Sequence, residues 1–205
     1  MHSYKNRQSG FSLMELVLVV SIMLVIAAIA APSLTIMMEN YRLDMSGHAV
    51  ASLLVQTRLQ AVRNNVPAYV QYNNALTPNE AYITSDPATP YSVGLPDVAI
   101  ASASFNTNPP DHKQLDDLLR NGNNGVTAEI GTVIGFNARG LPCMEQASAV
   151  VCQQQDPVTN NTPYFEWFMV DSRGGWEAVT VTPAGRVKTW RMVTSKGCGY
   201  TVCWQ

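Results

Sequence analysis

The sequence has few of the features that support catalysis. It contains three histidines, and only His48 and His112 lie beyond the first ten residues. Neither lies in a setting that indicates a base or a ligand, so a surface or satisfied histidine is expected. A G-x-S-x-G nucleophile elbow, a phosphate-binding glycine loop and an H-E-x-x-H motif are all missing. We therefore expect no enzyme activity, no cofactor and no metal site.

Charged residues are also scarce near the N-terminus. From Leu13 to Ala31 the only polar side chains are Glu15 and Ser21. A helix of this length, rising about 1.5 Å per residue, spans the roughly 30 Å hydrocarbon core of a bilayer. Lys5 and Arg7 precede it, with no acid before Glu15. The positive-inside rule therefore predicts a cytoplasmic flank and an exported remainder.

A secretory signal peptide would also show basic residues before an apolar run. The run here is longer than the roughly 7–15 apolar residues of such a signal. The small residues at 27–31, ahead of Pro32, make only a weak cleavage site. A lasting membrane anchor is therefore the preferred interpretation.

The segment Gly10–Leu16 reads G-F-S-L-M-E-L. A carboxylate within an apolar helix costs about 2.5–3.5 kcal/mol at the bilayer centre and less near an interface, so a functional reason is expected. The segment resembles the class III signal of type IV prepilins and type II secretion pseudopilins. The resemblance implies that a prepilin peptidase cuts after Gly10 and N-methylates Phe11. It also implies that Glu15 pairs with the terminal amine of a neighbouring subunit.

Pro32 strengthens this resemblance, because many pilins carry a helix-breaking proline at the equivalent position. An interior proline removes one backbone hydrogen bond and can kink or locally melt the helix. The implied partners are other major and minor pilins through the N-terminal helix, the prepilin peptidase, and the inner membrane before assembly. The implied location is a single-pass inner-membrane protein with a periplasmic head, and later a pilus or pseudopilus.

The chain is thus expected to comprise a leader at 1–10, an N-terminal helix at 11–66 with a membrane-spanning part at about 13–31, and a β-rich head at 67–205. Pro67 disfavours helix in the residue before it, so the helix should end near Asn64-Asn65. An apolar stripe with spacings of four, three and four is expected to pack on the head. It comprises Val55, Leu59, Val62 and Val66.

The rest of the chain is predicted to form short strands separated by Pro, Gly and Asn. The predicted strands are Ala68–Tyr72, Thr132–Asn137, Tyr164–Asp171, Glu177–Thr182 and Gly185–Val193, with weaker candidates at Glu80–Ile83 and Val98–Ala103. Pro183 and Gly185 favour a tight turn, so the last two strands should form a hairpin. The loop-rich region 73–125 is the least defined.

A short helix is predicted within that region. Asp111 followed by Gln114 resembles a capping box, and the helix should run through Arg120 and stop at Gly122. The adjacent acids Asp116-Asp117 are expected on its solvated face.

A long helix followed by mostly antiparallel strands predicts an α+β fold, which by resemblance is the type IV pilin fold. Two further segments, Phe136–Pro142 (F-N-A-R-G-L-P) and Val179–Lys188 (V-T-V-T-P-A-G-R-V-K), resemble the head of the GspH/FimT family. That family includes FimU-like and FimT-like minor pilins and the pseudopilin GspH, and the region 73–125 departs from its shorter members. The resemblance implies a minor pilin of an initiating or tip complex. The alternatives are a FimT-like DNA-binding minor pilin for natural transformation and a GspH-like type II secretion pseudopilin.

The four cysteines, Cys143, Cys152, Cys198 and Cys203, all lie in the exported part. An oxidising compartment favours disulfides, and the spacings fit zinc motifs poorly. The pairs Cys143–Cys152 and Cys198–Cys203 are preferred, although sequence alone leaves cross-pairing open.

Removing residues 1–10 lowers the net charge of the chain from −2 to −4. The C-terminal region is nevertheless basic. On a strand, Arg186, Lys188 and Trp190 would share one face, where two cations and a ring suit a phosphate backbone and a stacked base. With Arg191 they are the candidate DNA-binding residues, and the G-R-x-[RK] pattern resembles that of FimT-like minor pilins. The alternative is an ordinary edge strand guarded by basic residues.

Overall fold

The computed structural model describes residues 12–75, 78–86, 88, 97–100, 103–120, 126–130, 133–146, 149–155, 161–193 and 197–205. The chain divides into two compact units at the boundary between Glu39 and Asn40. Gly10, Phe11 and Gly122 lie outside the described residues.

Helix α1 spans Leu13–Asn64. Ser12 caps its start, since the Ser12 carbonyl accepts the N–H of Leu16 at 3.2 Å and the Ser12 Oγ accepts that of Glu15 at 3.3 Å. Asn65 follows with a φ of 54°, a left-handed conformation that asparagine tolerates and that commonly ends helices. The predicted end near Asn64-Asn65 is confirmed.

The helix runs through Pro32 without a break. Pro32 has no N–H, so one carbonyl of the preceding turn lacks its usual intrahelical donor. Two hydroxyl groups of the apolar region donate to the helix itself: Ser21 Oγ to the Leu18 carbonyl at 2.8 Å, and Thr35 Oγ1 to the Pro32 carbonyl at 2.9 Å. These side chains are therefore satisfied locally, as a lipid environment requires.

The face of α1 that packs on the sheets is not the predicted one. The expected stripe of Val55, Leu59, Val62 and Val66 is exposed. The buried helix residues instead are Leu43, Ser46, Gly47, Val50, Leu53, Leu54, Thr57 and Ala61. The prediction was wrong because this part of the helix has two apolar faces, and the one with small residues allows closer approach to the sheets.

The described residues after α1 form twelve strands and one further helix. The strands are β1 Ala68–Asn73, β2 Asn79–Thr84, β3 Asp97–Ile100, β4 Ala103–Asn106, β5 Val126–Ile130, β6 Ile134–Phe136, β7 Pro142–Gln146, β8 Ala149–Gln153, β9 Thr162–Asp171, β10 Trp176–Val181, β11 Val187–Val193 and β12 Cys203–Trp204, and helix α2 is Lys113–Arg120.

These strands form two sheets, ordered β3-β2-β1-β6-β7-β8 and β12-β11-β10-β9-β4. Neighbours within each order are antiparallel, while β5 pairs with β9 in parallel. The α+β layout, a long apolar helix packed on antiparallel sheets, is therefore as predicted, as is the β10–β11 hairpin. The predicted strand at Val98–Ala103 corresponds to β3 and the start of β4.

The second sheet has a different partner on each face. One face, with Phe165, Trp167 and Val179, joins buried residues of α1 and the first sheet in the main core. The other face, with Phe168 and Trp190 among its residues, joins α2 and the C-terminal segment in a smaller core. Alternation along β9, β10 and β11 thus decides which side chains meet α1 and which meet α2.

The capping box predicted for α2 forms only in part. Asp111 Oδ1 accepts the N–H of Lys113 at 3.1 Å. Gln114 Oε1, however, accepts the backbone N–H of Trp204 at 2.5 Å, and Trp204 Nε1 donates to the Asp111 carbonyl at 3.2 Å. The glutamine therefore fixes the C-terminal segment to α2 instead of closing the box.

Candidate functional site

The N-terminal segment presents a continuous apolar surface. All side chains of residues 12–38 are exposed, and Glu15 is the one charged residue among them. Glu15 lies in the first turn of α1, where the positive end of the helix dipole favours a carboxylate. A surface this apolar is unfavourable in water and requires lipid or another protein surface.

Among the described residues, α1 is the one helix long and apolar enough to cross a membrane. Its length and composition are consistent with anchoring, and the polar Ser21 and Thr35 side chains are satisfied within it. Within residues 12–75 and the other described parts of the chain, Glu15 forms no ion pair, although it is an acid at the start of the apolar run.

The head also exposes apolar residues along α1. Tyr41, Met45, Val55, Leu59 and Val62 are all exposed, as is Val66 just after the helix. Their spacing places them on one face of the helix, away from the buried residues that contact the sheets. A helix face of this kind is suited to contact between subunits.

The two segments that carry the head resemblance meet at one point. Arg58 Nη1 donates to the Gly185 carbonyl at 2.9 Å. A Cβ on Gly140 would lie 3.1 Å from Arg58 Nε, and one on Gly185 would lie 2.9 Å from the Gly140 carbonyl oxygen. Gly140 and Gly185 have positive φ angles of 73° and 78°. Glycine is therefore favoured at both positions, because other residues rarely adopt this backbone conformation and because a side chain would be too close to its neighbours.

The basic hairpin places its side chains differently from the prediction. Arg186 and Lys188 are exposed, but Trp190 is 9% exposed and its Nε1 donates to Thr180 Oγ1 at 2.9 Å. The Lys188 ammonium lies 3.4 Å from the centre of the Trp190 ring, a cation–π contact. The ring is therefore part of the smaller core, and the expected base-stacking surface is not available in this structure.

Arg191 is also separated from the other two cations. It lies directly opposite Glu177 in the β10–β11 register, whereas Trp190 is opposite Ala178. Since side chains alternate along a strand, Arg191 points to the face that meets α1 and not to that of Lys188. Of the four candidate DNA-binding residues, Arg186, just before β11, and Lys188, within it, are exposed.

The structure contains two disulfides. Cys143 is bonded to Cys152 with a Cα–Cα distance of 5.1 Å, and Cys198 to Cys203 with a distance of 5.9 Å. The first joins the neighbouring strands β7 and β8, and the second closes the C-terminal segment. Thiol ligands are therefore unavailable at these four positions.

Two glutamates are buried on opposite faces of the second sheet. Burial raises the pKa of Glu177 to about 8, with Asp44 adding to the effect and Arg191 opposing it. Burial likewise raises the pKa of Glu166 to about 8, with Asp116 adding and Arg120 opposing. These buried acids were not identified from sequence. Alternation along a strand shows which residues share a face, but it does not show that a glutamate on that face will be buried.

Glu166 belongs to a polar cluster between β9 and α2. Tyr164 donates its hydroxyl to Asp116 Oδ1, and Arg120 Nε donates to the Tyr164 hydroxyl oxygen at 3.4 Å. Burial and the hydrogen bond to Asp116 raise the pKa of Tyr164. His112 Nε2 lies 3.7 Å from Asp116 Oδ2.

A comparison with protein families matched residues 5–31 to the prokaryotic N-terminal methylation motif. No curated protein matched the chain. No solved structure matched it either. The matched segment contains Gly10, Phe11 and Glu15 and most of the exposed apolar helix. With the α+β layout, this match supports a type IV pilin-like protein that is processed by a prepilin peptidase and anchored by its N-terminal helix.

Proposed function

We propose that this protein is a minor pilin, a structural and assembly subunit of a type IV pilus that acts in the initiating or tip complex. The leader 1–10 is removed after Gly10, Phe11 is N-methylated, and the head is held in the periplasm until assembly. The resemblance of the Phe136–Pro142 and Val179–Lys188 segments to GspH/FimT heads supports a low-abundance subunit over a major one.

The observation that carries the proposal is the fully exposed apolar segment 12–38 with a single acid, Glu15, at its start. In lipid, the apolar side chains are in a favourable environment, but the Glu15 carboxylate is not. In a filament, the same side chains pack on neighbouring helices, and Glu15 gains the terminal amine of another subunit. The exposed stripe on the head's part of α1 offers a second surface for such contacts.

Processing and location test this proposal first. The chain produced in a strain with a prepilin peptidase should lose residues 1–10 and gain one methyl group by intact mass, whereas Gly10→Val should remain uncut. The mature chain should then be found in sheared filaments at low abundance. A product that keeps its first ten residues, or that loses the whole apolar helix, contradicts the proposal.

A pseudopilin of a type II secretion system would carry the same leader, anchor and layout. The two assemblies differ in what they do, so deletion of the gene separates them. Loss of surface pili with normal protein secretion supports the pilus assignment. Loss of secretion with normal pili supports a GspH-like role.

DNA binding is the second candidate function, and the exposure of Arg186 and Lys188 on one hairpin supports it. Full-length mature chain in detergent should bind double-stranded DNA with an affinity that falls as salt rises, because phosphate contacts release counterions. Arg186→Ala with Lys188→Ala should weaken binding at least tenfold. The control is Arg63→Ala with Lys113→Ala, which removes the same charge from exposed sites elsewhere. Equal effects of the two double variants would remove the hairpin from consideration.

A further inference from the structure

The cluster between α2 and β9 brings together three side chains with metal-ligating atoms. One ligand atom each from His112, Asp116 and Glu166 can be chosen so that all lie within 4.8 Å of one another. His112 and Asp116 lie one helical turn apart at the start of α2, and Glu166 comes from the middle of β9. The fold, not the sequence order, creates this group.

Glu166 is the unusual member of the group. Its side chain is 0% exposed, and neither carboxyl oxygen has a hydrogen-bond partner in the part of the chain that the structure describes. A buried carboxylate without a donor or a paired cation is strongly unfavourable. Arg120, whose charge opposes the rise of the Glu166 pKa, donates to the Tyr164 hydroxyl oxygen. Such a group favours a proton or a cation, and a cation bound there would lie among Glu166, His112 and Asp116.

We propose that His112, Asp116 and Glu166 form a binding site for a divalent cation of zinc-like chemistry. An imidazole nitrogen with two carboxylate oxygens is a donor set that Zn²⁺ accepts, whereas Ca²⁺ and Mg²⁺ take oxygen ligands. The two carboxylates balance the charge of the ion. The half-buried His112 and Asp116 leave a route for the ion and an open fourth position for water.

The distances require a modest closure of the site. Ligand atoms about 2.0–2.2 Å from one zinc ion lie roughly 3.4 Å apart in a tetrahedral arrangement. His112 Nε2 and Asp116 Oδ2 are already 3.7 Å apart, so their positions need little change. The largest separations within the group, up to 4.8 Å, can close by rotation of the long Glu166 side chain and of the His112 ring.

Surrounding contacts hold two of the ligands in orientation. The Tyr164 hydroxyl donates to Asp116 Oδ1, which leaves Oδ2 directed to His112. The His112 ring packs at a tilt on Phe168, with ring centres 5.7 Å apart. Partners that fix ligand orientation in this way are a usual part of metal sites.

The C-terminal segment holds α2 in place. Trp204 is bonded to Gln114, and the Tyr200 hydroxyl donates to Asp117 Oδ2 at 2.8 Å. A metal ion at the proposed site would add a direct link from α2 to β9. The ion is therefore expected to stabilise the head, independently of whether the protein enters a pilus.

The test uses full-length mature protein in detergent, treated with a chelator, dialysed and titrated with ZnCl₂ by calorimetry. We expect one zinc ion per chain, a higher Tm in its presence, and tetrahedral absorption bands when Co²⁺ replaces zinc. Glu166→Gln, which keeps the shape of the side chain, and His112→Asn should each weaken binding at least about 10–100-fold, because loss of a direct ligand should cost no less than loss of a residue that only orients one.

His48 provides the matched control, because His48 and Asp44 form a second histidine–aspartate pair one turn apart, at 3.9 Å on an exposed helix face. His48→Asn should leave zinc binding unchanged. The proposal is overturned if wild-type protein binds no stoichiometric zinc, if the His48 and His112 variants lose binding equally, or if Ca²⁺ binds as tightly as zinc. Circular dichroism shows which variants are folded, and His112→Asn, at a half-buried site, tests the proposal even if Glu166→Gln unfolds.

Discussion

Arg58 on helix α1 donates a hydrogen bond to the carbonyl of Gly185 on the β10–β11 turn, 127 residues further along the chain, at 2.9 Å. The same guanidinium lies beside Gly140 in the turn that follows β6. One side chain thus connects the helix to a turn of each sheet.

Replacement of Arg58 should therefore loosen the head. Arg58→Ala removes a charged donor from a half-buried carbonyl, and a loss of roughly 1.5–3 kcal/mol in the free energy of unfolding is expected. Chemical denaturation of the mature chain measures it. Arg63→Ala, an exposed arginine on the same helix, is the control and should cost less than about 0.5 kcal/mol. Equal losses would show that the Arg58 contact contributes nothing specific.

The glycine at the hairpin turn provides a second prediction. Gly185 has a φ of 78° and Gly174 a φ of 81°, but a Cβ at Gly174 would meet nothing within 4 Å, whereas one at Gly185 would meet the Gly140 carbonyl at 2.9 Å. Gly174→Ala should thus cost only the backbone strain, about 1 kcal/mol. Gly185→Ala should lower Tm further, because the steric conflict is added. Equal shifts in Tm would contradict the close approach of the two turns.

Gly47 and Glu177 give a third prediction. A methyl group at position 47 would overlap the Glu177 carboxyl group, which is buried against the helix. Gly47→Ala should destabilise the head by roughly 1–3 kcal/mol, the usual cost of overpacking a core. In the background of Glu177→Ala the same substitution should cost much less. Additive losses in the double variant would show that the helix and the carboxyl group do not compete for this space.

Stability should also depend on pH through Glu177. Its pKa rises from 4.5 to about 8 on folding, so the native state binds an additional proton between these values. The contribution of Glu177 to the free energy of unfolding should therefore be greatest below about pH 4.5, fall as pH rises to about 8, and then level off; Glu166, whose pKa is raised to a similar value, adds to the slope in the same window. Glu177→Gln keeps the neutral shape and should reduce this slope. An unchanged slope from pH 5 to 8 would indicate that Glu177 titrates normally in the folded protein.

The proposed assembly role rests on Glu15. Glu15→Ala removes the carboxylate, so cleavage after Gly10 and membrane insertion should continue, while the amount of protein in sheared filaments should fall several-fold. Ser21→Ala removes another polar side chain of the same helix, and filament content should stay normal because the Ser21 hydroxyl donates to the Leu18 carbonyl of that helix. Normal incorporation of the Glu15 variant would refute the charge pairing.

Much of the fold could be predicted where a sequence pattern was compatible with a single local structure. The end of α1, the β10–β11 hairpin and the long strand β9 were all indicated by turn residues or alternation. The strands β5, β7, β8 and β12 were missed: β5 depends on parallel pairing with β9, β7 begins at Pro142, which in isolation indicates a turn, and β12 has two residues.

Side-chain positions were harder to predict because they depend on which face is covered. Val55 and Leu59 form an apolar stripe as regular as that of the buried residues, so periodicity could not show which face packs on the head. Trp190 was expected on a binding surface but fills the core beneath α2. Glu166 and His112 are separated by a large stretch of sequence, so their proximity follows only from the packing of α2 on β9.

Both disulfides are local, spanning nine and five residues of sequence, and neither links one sheet to the other. As far as the described residues show, the main core that joins α1 to both sheets contains no cysteine. Closure of that core thus does not have to wait for an oxidase. A subunit held at the membrane can fold its main core first and form its disulfides afterwards. Mild reductants should therefore loosen the segments that the two disulfides close, while the main core stays folded.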